Sequence, residues 1–132
     1  VSSPASVSTV LVTLLTVAST LSGCSSDPQE AYCERVADHQ DELTEVAASE
    51  DEDALFAALP PYRDLQEHAP SDIEDEWTHV VTALEALESA VDGGAEDRIE
   101  RASEELGSRR TIEAMAALEQ HALDVCGTPL AH

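Results

Sequence analysis

The run Ser71-Asp72-Ile73-Glu74-Asp75-Glu76-Trp77-Thr78-His79-Val80-Val81-Thr82-Ala83-Leu84-Glu85-Ala86-Leu87-Glu88-Ser89-Ala90-Val91-Asp92-Gly93-Gly94 has the most regular apolar spacing in the chain and decides its fold class. Ile73, Trp77, Val80, Leu84, Leu87 and Val91 recur three or four residues apart. At 100° per residue they fall within about 40° either side of one line, which is a helix with one buried face. Ser71-Asp72-Ile73-Glu74 reads as a capping box, in which hydroxyl and carboxylate take up backbone N–H groups that lack intrahelical partners. Asp92-Gly93-Gly94 stops the helix.

Working outward, the same grammar repeats. Asp27-Pro28-Gln29-Glu30 offers an Asp cap, Pro at the first helical position and Glu at the third, opening a helix predicted to run to about Ala48. Its apolar positions are Tyr32, Val36, Leu43 and Ala47, with Cys33 at the edge of that face. Ser49, with Glu52 three residues on, starts a segment through Leu55, Phe56 and Leu59 that Pro60-Pro61 interrupts; a helical stretch with Tyr62 and Leu65 then runs to Ala69-Pro70. Glu96 to Leu106 carries a thin stripe of Ile99, Ala102 and Leu106, closed by Gly107. The last helix starts near Ser108 and presents Ile112, Met115, Ala116, Ala122, Leu123 and Cys126 before Gly127 and Pro129 break it. There is no strand pattern and no internal repeat. The expectation is an all-α fold: a small antiparallel bundle of four main helices plus one short helix, following an N-terminal signal segment.

The chain has 132 residues, with 28 Asp and Glu against six Arg and no Lys, for a formal net charge of −22. Nucleic acid is excluded as a partner, because so few cations cannot neutralise a phosphate backbone. At 42% hydrophobic the chain is too apolar for a disordered acidic tail, and at 3% aromatic its core must be built from Leu, Val, Ile and Ala. No charge occurs before Asp27. From Val7 to Cys24 the chain is apolar, laced with Ser and Thr, and ends in small residues, which fits the apolar region and cleavage site of a secretory signal better than a membrane span.

Leu21-Ser22-Gly23-Cys24 resembles the lipobox of bacterial lipoproteins. The resemblance implies that a peptidase cuts before Cys24 once a diacylglycerol is attached to its sulfur. It divides the chain into a signal peptide (1–23), a lipidated Cys with a short tether (24–28) and an acidic helical domain (29–132). It departs from the family in lacking Lys or Arg ahead of the apolar run. With Cys24 lipidated, Cys33 and Cys126 remain as an even pair in an oxidising compartment, and a disulfide between them is expected. It would tie the start of the domain to its end, a closure worth about 4.6 kcal/mol in the chain-entropy model. If the first and last helices are antiparallel and bonded there, facing pairs are Val36 with Leu123, Ala37 with Ala122, Leu43 with Ala116, and Ala47 with Ile112. The exception is Gln40 opposite Glu119, an interior polar pair expected to hydrogen-bond across the interface.

Chemical signatures are few. There is no Gly-x-Ser-x-Gly, no His-Glu-x-x-His, no P-loop and no Gly-x-Gly-x-x-Gly, so no enzyme activity is expected. Glu76-Trp77-Thr78-His79 matches one half-site of a di-iron carboxylate bundle, but no second copy exists and His79 lies about 120° from the centre of its helix's apolar face. His39, His68 and His121 fall at helix edges or solvent faces. No haem motif accompanies Tyr32 or Tyr62, and no cofactor or metal is expected. Glu50 to Asp53 and Asp72 with Glu74 to Glu76 read as solvated first turns that complement the helix dipole.

The whole pattern is similar to that of small acidic helical lipoproteins of high-GC Gram-positive bacteria, a group with no common activity to carry over. Arg to the exclusion of Lys and an abundance of Ala fit that origin. The resemblance implies a lipid-anchored protein on the extracytoplasmic face of the cell membrane. Its expected role is a protein or envelope interaction module with a basic partner. The competing expectation is capture of a small ligand or metal cation, for which a pocket lined by Tyr32, Tyr62, Trp77 and His39 would speak.

Overall fold

The computed structural model describes residues 27–131. The expected signal segment and the expected lipobox residues Leu21, Ser22, Gly23 and Cys24 lie outside the described residues. The elements are α1 (Pro28–Ala48), α2 (Glu52–Ala57), α3 (Leu59–Glu67), α4 (Glu74–Gly93), α5 (Glu96–Leu106) and α6 (Arg109–His121), followed by a π-helical turn at Ala122–Cys126. Among the described residues there are no strands, and the all-α bundle is as expected from the apolar spacing. No helix among them is long and apolar enough to cross a membrane.

Local chemistry sets most boundaries. The Asp27 carboxylate accepts from the Gln29 N–H, and Pro28 occupies the first helical position of α1. Asp51, not Ser49, caps α2; the Ser49 N–H closes α1 on Val46 and its hydroxyl accepts from Asp51. Pro60 and Pro61 sit in the first turn of α3, where a missing N–H costs nothing. Gly94 takes the left-handed conformation that ends α4.

The capping box expected at Ser71 does not form. Helix α4 begins at Glu74 with Ile73 as its cap residue and no side-chain cap bond, because the Ile73 N–H turns back to the Pro70 carbonyl. This turn buries Ile73 in the core. Burying an Ile side chain contributes about 1.5–3 kcal/mol, more than the ~1 kcal/mol of a typical cap.

Helix α4 is the centre of the molecule, packed by α3 on one side and by α5 and α6 on the others. It is therefore buried over more of its circumference than a single stripe: Val81, Ala83 and Ala90 join Trp77, Val80, Leu84 and Leu87 inside. The exception is Val91, 45% exposed although Ala90 beside it is buried. Around Trp77 the main core gathers Tyr32 and Val36 of α1, Leu65 of α3 and Leu118 of α6. The Trp77 indole N–H donates to the Tyr32 hydroxyl at 2.9 Å, so both fully buried rings have their polar atoms paired. Tyr62 packs edge-on against Trp77. A smaller cluster of Leu87, Ala90 and Ala102 joins α4 to α5.

Cys33 and Cys126 form the expected disulfide, their Cα atoms 5.1 Å apart. The facing pairs expected from it do not continue along the helices. Ile112 is 60% and Leu123 44% exposed, and Ala37, Ala47 and Ala116 are exposed as well. Beyond the disulfide, α1 packs on α3 and α6 on α4, so the two diverge. The cause lies in the C-terminal segment. Gly127, with φ of 65°, reverses the chain after the π-helical turn and Leu130 is buried in the core.

Candidate functional site

That segment passes between α1 and α6 and changes the role of the interior polar pair. Gln40 and Glu119 do not bond each other. Gln40 Nε2 donates to the Pro129 carbonyl at 2.9 Å, and the Leu130 N–H donates to Glu119 Oε2 at 3.1 Å. Each helix thus lends one polar side chain to a strap of backbone, which satisfies groups that would otherwise be unpaired at a half-buried joint. The sequence located the two residues; the reversal at Gly127 decided their partners.

Where α1 and α6 part, a cleft of about 560 Å³ opens. Leu43, Val46 and Ala47 form one wall, Met115 and Ala116 the other, with Tyr62 among the lining residues and Leu130 and Ala131 of the strap at one side. Its polar contributions come from Ser49, Asp51 and Glu119, and no Arg lines it among the described residues. Burial, then the negative charge of Glu119, raises the Tyr62 hydroxyl pKa above its ordinary value. A second depression of about 270 Å³ shares Leu55, Tyr62 and Met115 with the cleft and adds Leu84 and Ile112. A third, with Val91 and Ile99, again meets Leu55. Among the described residues, Leu55, Val91 and Ile112 are three of the four exposed large hydrophobic side chains, and all three border this run of apolar surface.

The aromatic pocket that would have spoken for a small ligand is absent among the described residues. Tyr32 and Trp77 are fully buried against each other, Tyr62 reaches the cleft, and His39 faces elsewhere. His39 Nε2 lies 2.6 Å from Asp64 Oδ2 and joins α1 to α3. That hydrogen bond, with help from the charges of Arg35, His39 and His68, lowers the Asp64 pKa below its ordinary value despite partial burial. Asp64, Glu67 and His68 bring ligand atoms within 4.8 Å of one another, an arrangement able to hold a cation. Asp64 is already engaged by His39 and Arg35, with which a cation would compete.

His79 and His121 also serve joints, where His121 was expected at a helix edge or solvent face. His79 is turned to α6, its Nε2 2.9 Å from Thr111 Oγ1. Thr111 in turn donates to the Glu105 carbonyl, so the imidazole N–H is the donor to Thr111. His121 packs edge-on against Tyr32, with Nε2 3.3 Å from Asp72 and Nδ1 buried without a partner. These positions escaped sequence reasoning because a helix packed on several sides has no single solvent face.

No protein-family model, curated protein or solved structure matches this chain.

Proposed function

We propose that the protein is a membrane-anchored extracytoplasmic lipoprotein whose acidic helical domain binds a protein or cell-envelope component. The observation that carries the binding role is the open apolar cleft between α1 and α6 on a domain of such negative charge. An apolar depression bordered by exposed Leu and Ile offers surface that a partner's apolar side chains bury on docking. The anchoring half of the reading rests on the lipobox at Cys24. Two acyl chains give the stable attachment that one does not. Helix α1 starts four residues after Cys24, so the tether is at most about 14 Å long. Negative charge repels anionic lipid headgroups and favours a basic partner.

Incorporation of labelled palmitate, abolished in Cys24→Ala, tests the anchor. Affinity capture from membranes with mass spectrometry, beside metal analysis of the purified chain, tests the partner. Recovery of a stoichiometric metal and no partner would replace this reading with cation capture, with Asp64, Glu67 and His68 as the place to look.

A further inference from the structure

The occupant of the cleft is constrained by its chemistry, and this step deepens the proposed binding function and rests on it. We infer that the cleft receives a cationic amphipathic helix of a partner protein, apolar face inward and Lys or Arg outward.

The walls supply aliphatic surface from Val46, Ala47 and Leu55 and an adaptable thioether from Met115, the kind of surface that accepts varied apolar side chains. The neighbouring depression across Leu55, Tyr62 and Met115 extends it, which suits a helix presenting anchors at i, i+3 or i+4 and i+7. The charges decide between occupants. Asp51 and Glu119 line the cleft, Asp53 lies in the third depression beside Leu55, and no Arg appears in the cleft. A fatty acid would bring its carboxylate beside these groups with no counter-charge, whereas Lys or Arg on a helix meets them. A second copy of the chain would bring another −22 against the first.

The test uses the full chain and a labelled Leu/Lys amphipathic peptide of about 18 residues, five helical turns, read by fluorescence anisotropy at about 150 mM salt. A second peptide keeps every Lys and replaces Leu by Ser. The expected result is roughly tenfold tighter binding of the Leu/Lys peptide than of the Ser/Lys one. Ala116→Trp, which fills the cleft from an exposed position, should weaken the Leu/Lys peptide by a similar factor. Ala86→Trp, exposed on α4 away from the cleft, should not. Equal binding of the two peptides would show attraction by bulk charge alone and overturn the inference. So would displacement of the peptide by a fluorescent fatty acid at lower concentration, or a concentration-dependent dimer that Ala116→Trp abolishes. If Ala116→Trp loses helicity, the comparison of peptides on the unmodified chain still decides. Palmitate uptake is read separately: peptide binding without acylation removes the anchor and keeps the cleft, and acylation without peptide binding does the reverse.

Discussion

Replacing Cys33 and Cys126 together by Ala should remove about 4–5 kcal/mol of stability. The bridge spans 93 residues, nearly the whole described domain. For a loop of that length the chain-entropy relation gives an entropy of roughly 15–16 cal/mol/K withheld from the denatured state, or about 4.6 kcal/mol at 25 °C. Domains of this size are stable by about 5–15 kcal/mol, so the substitution should bring the protein close to its folding threshold. The packing loss is small by comparison, because Tyr32 and Val36 on either side of Cys33 keep their own contacts in the core. Urea denaturation followed by far-ultraviolet circular dichroism, with the double variant beside the oxidised parent, measures the difference. The slope against urea should rise in the variant, since an uncrosslinked denatured chain exposes more surface. A loss under about 1 kcal/mol would refute the reasoning, because it would mean that the denatured chain is already compact enough to hold its ends together.

Four further outcomes are expected. Tyr32→Phe leaves the buried Trp77 N–H without an acceptor and should cost about 1–3 kcal/mol in urea melts, whereas a loss below about 0.5 kcal/mol would show that water or another group replaces the hydroxyl. The same hydroxyl is held up to about 12 by burial, with Asp72 adding to it, so the folded state keeps its proton where the unfolded state releases it. That stabilisation is complete below pH 10 and declines from pH 10 to about 12, and Tyr32→Phe should flatten this part of the stability profile. Asp64 has the opposite sign: its lowered pKa stabilises the fold above the ordinary carboxylate range, and the contribution is lost as pH falls through the folded value. Asp64→Asn should therefore be destabilising near neutrality and converge on the parent in strong acid, in thermal melts across pH. Finally, with 28 carboxylate side chains against six Arg, the melting temperature should rise with salt, and magnesium or calcium should act at lower concentration than sodium. Flat melting curves would show that self-repulsion does not strain the fold.

The regular spacing of Ile73 to Leu87 made α4 visible because a helix that buries one face writes that face into its sequence every three or four residues. Val91 has the same spacing yet is 45% exposed, because spacing does not record which neighbours reach that side of the helix. Capping was legible where it competed with nothing, as at Asp27, and misleading at Ser71, where burial of Ile73 outweighed it. The histidine joints were illegible, since His39 to Asp64 and His79 to Thr111 depend on which helices become neighbours.

The helices and the acidic exterior were determined by the sequence alone, through local periodicity and composition, whereas the Cys33–Cys126 pairing followed there only from the lipobox resemblance at Cys24 and is formed in the structure. The cleft was decided only by tertiary structure. Gln40, Glu119 and the apolar faces of α1 and α6 are compatible with two helices lying side by side. What parts them is the chain reversal at Gly127, which sends Leu130 into the core and gives the two polar side chains a backbone strap to hold. Whether that segment enters the core or stays in solvent depends on contacts between residues some 90 positions apart, and no local pattern records them.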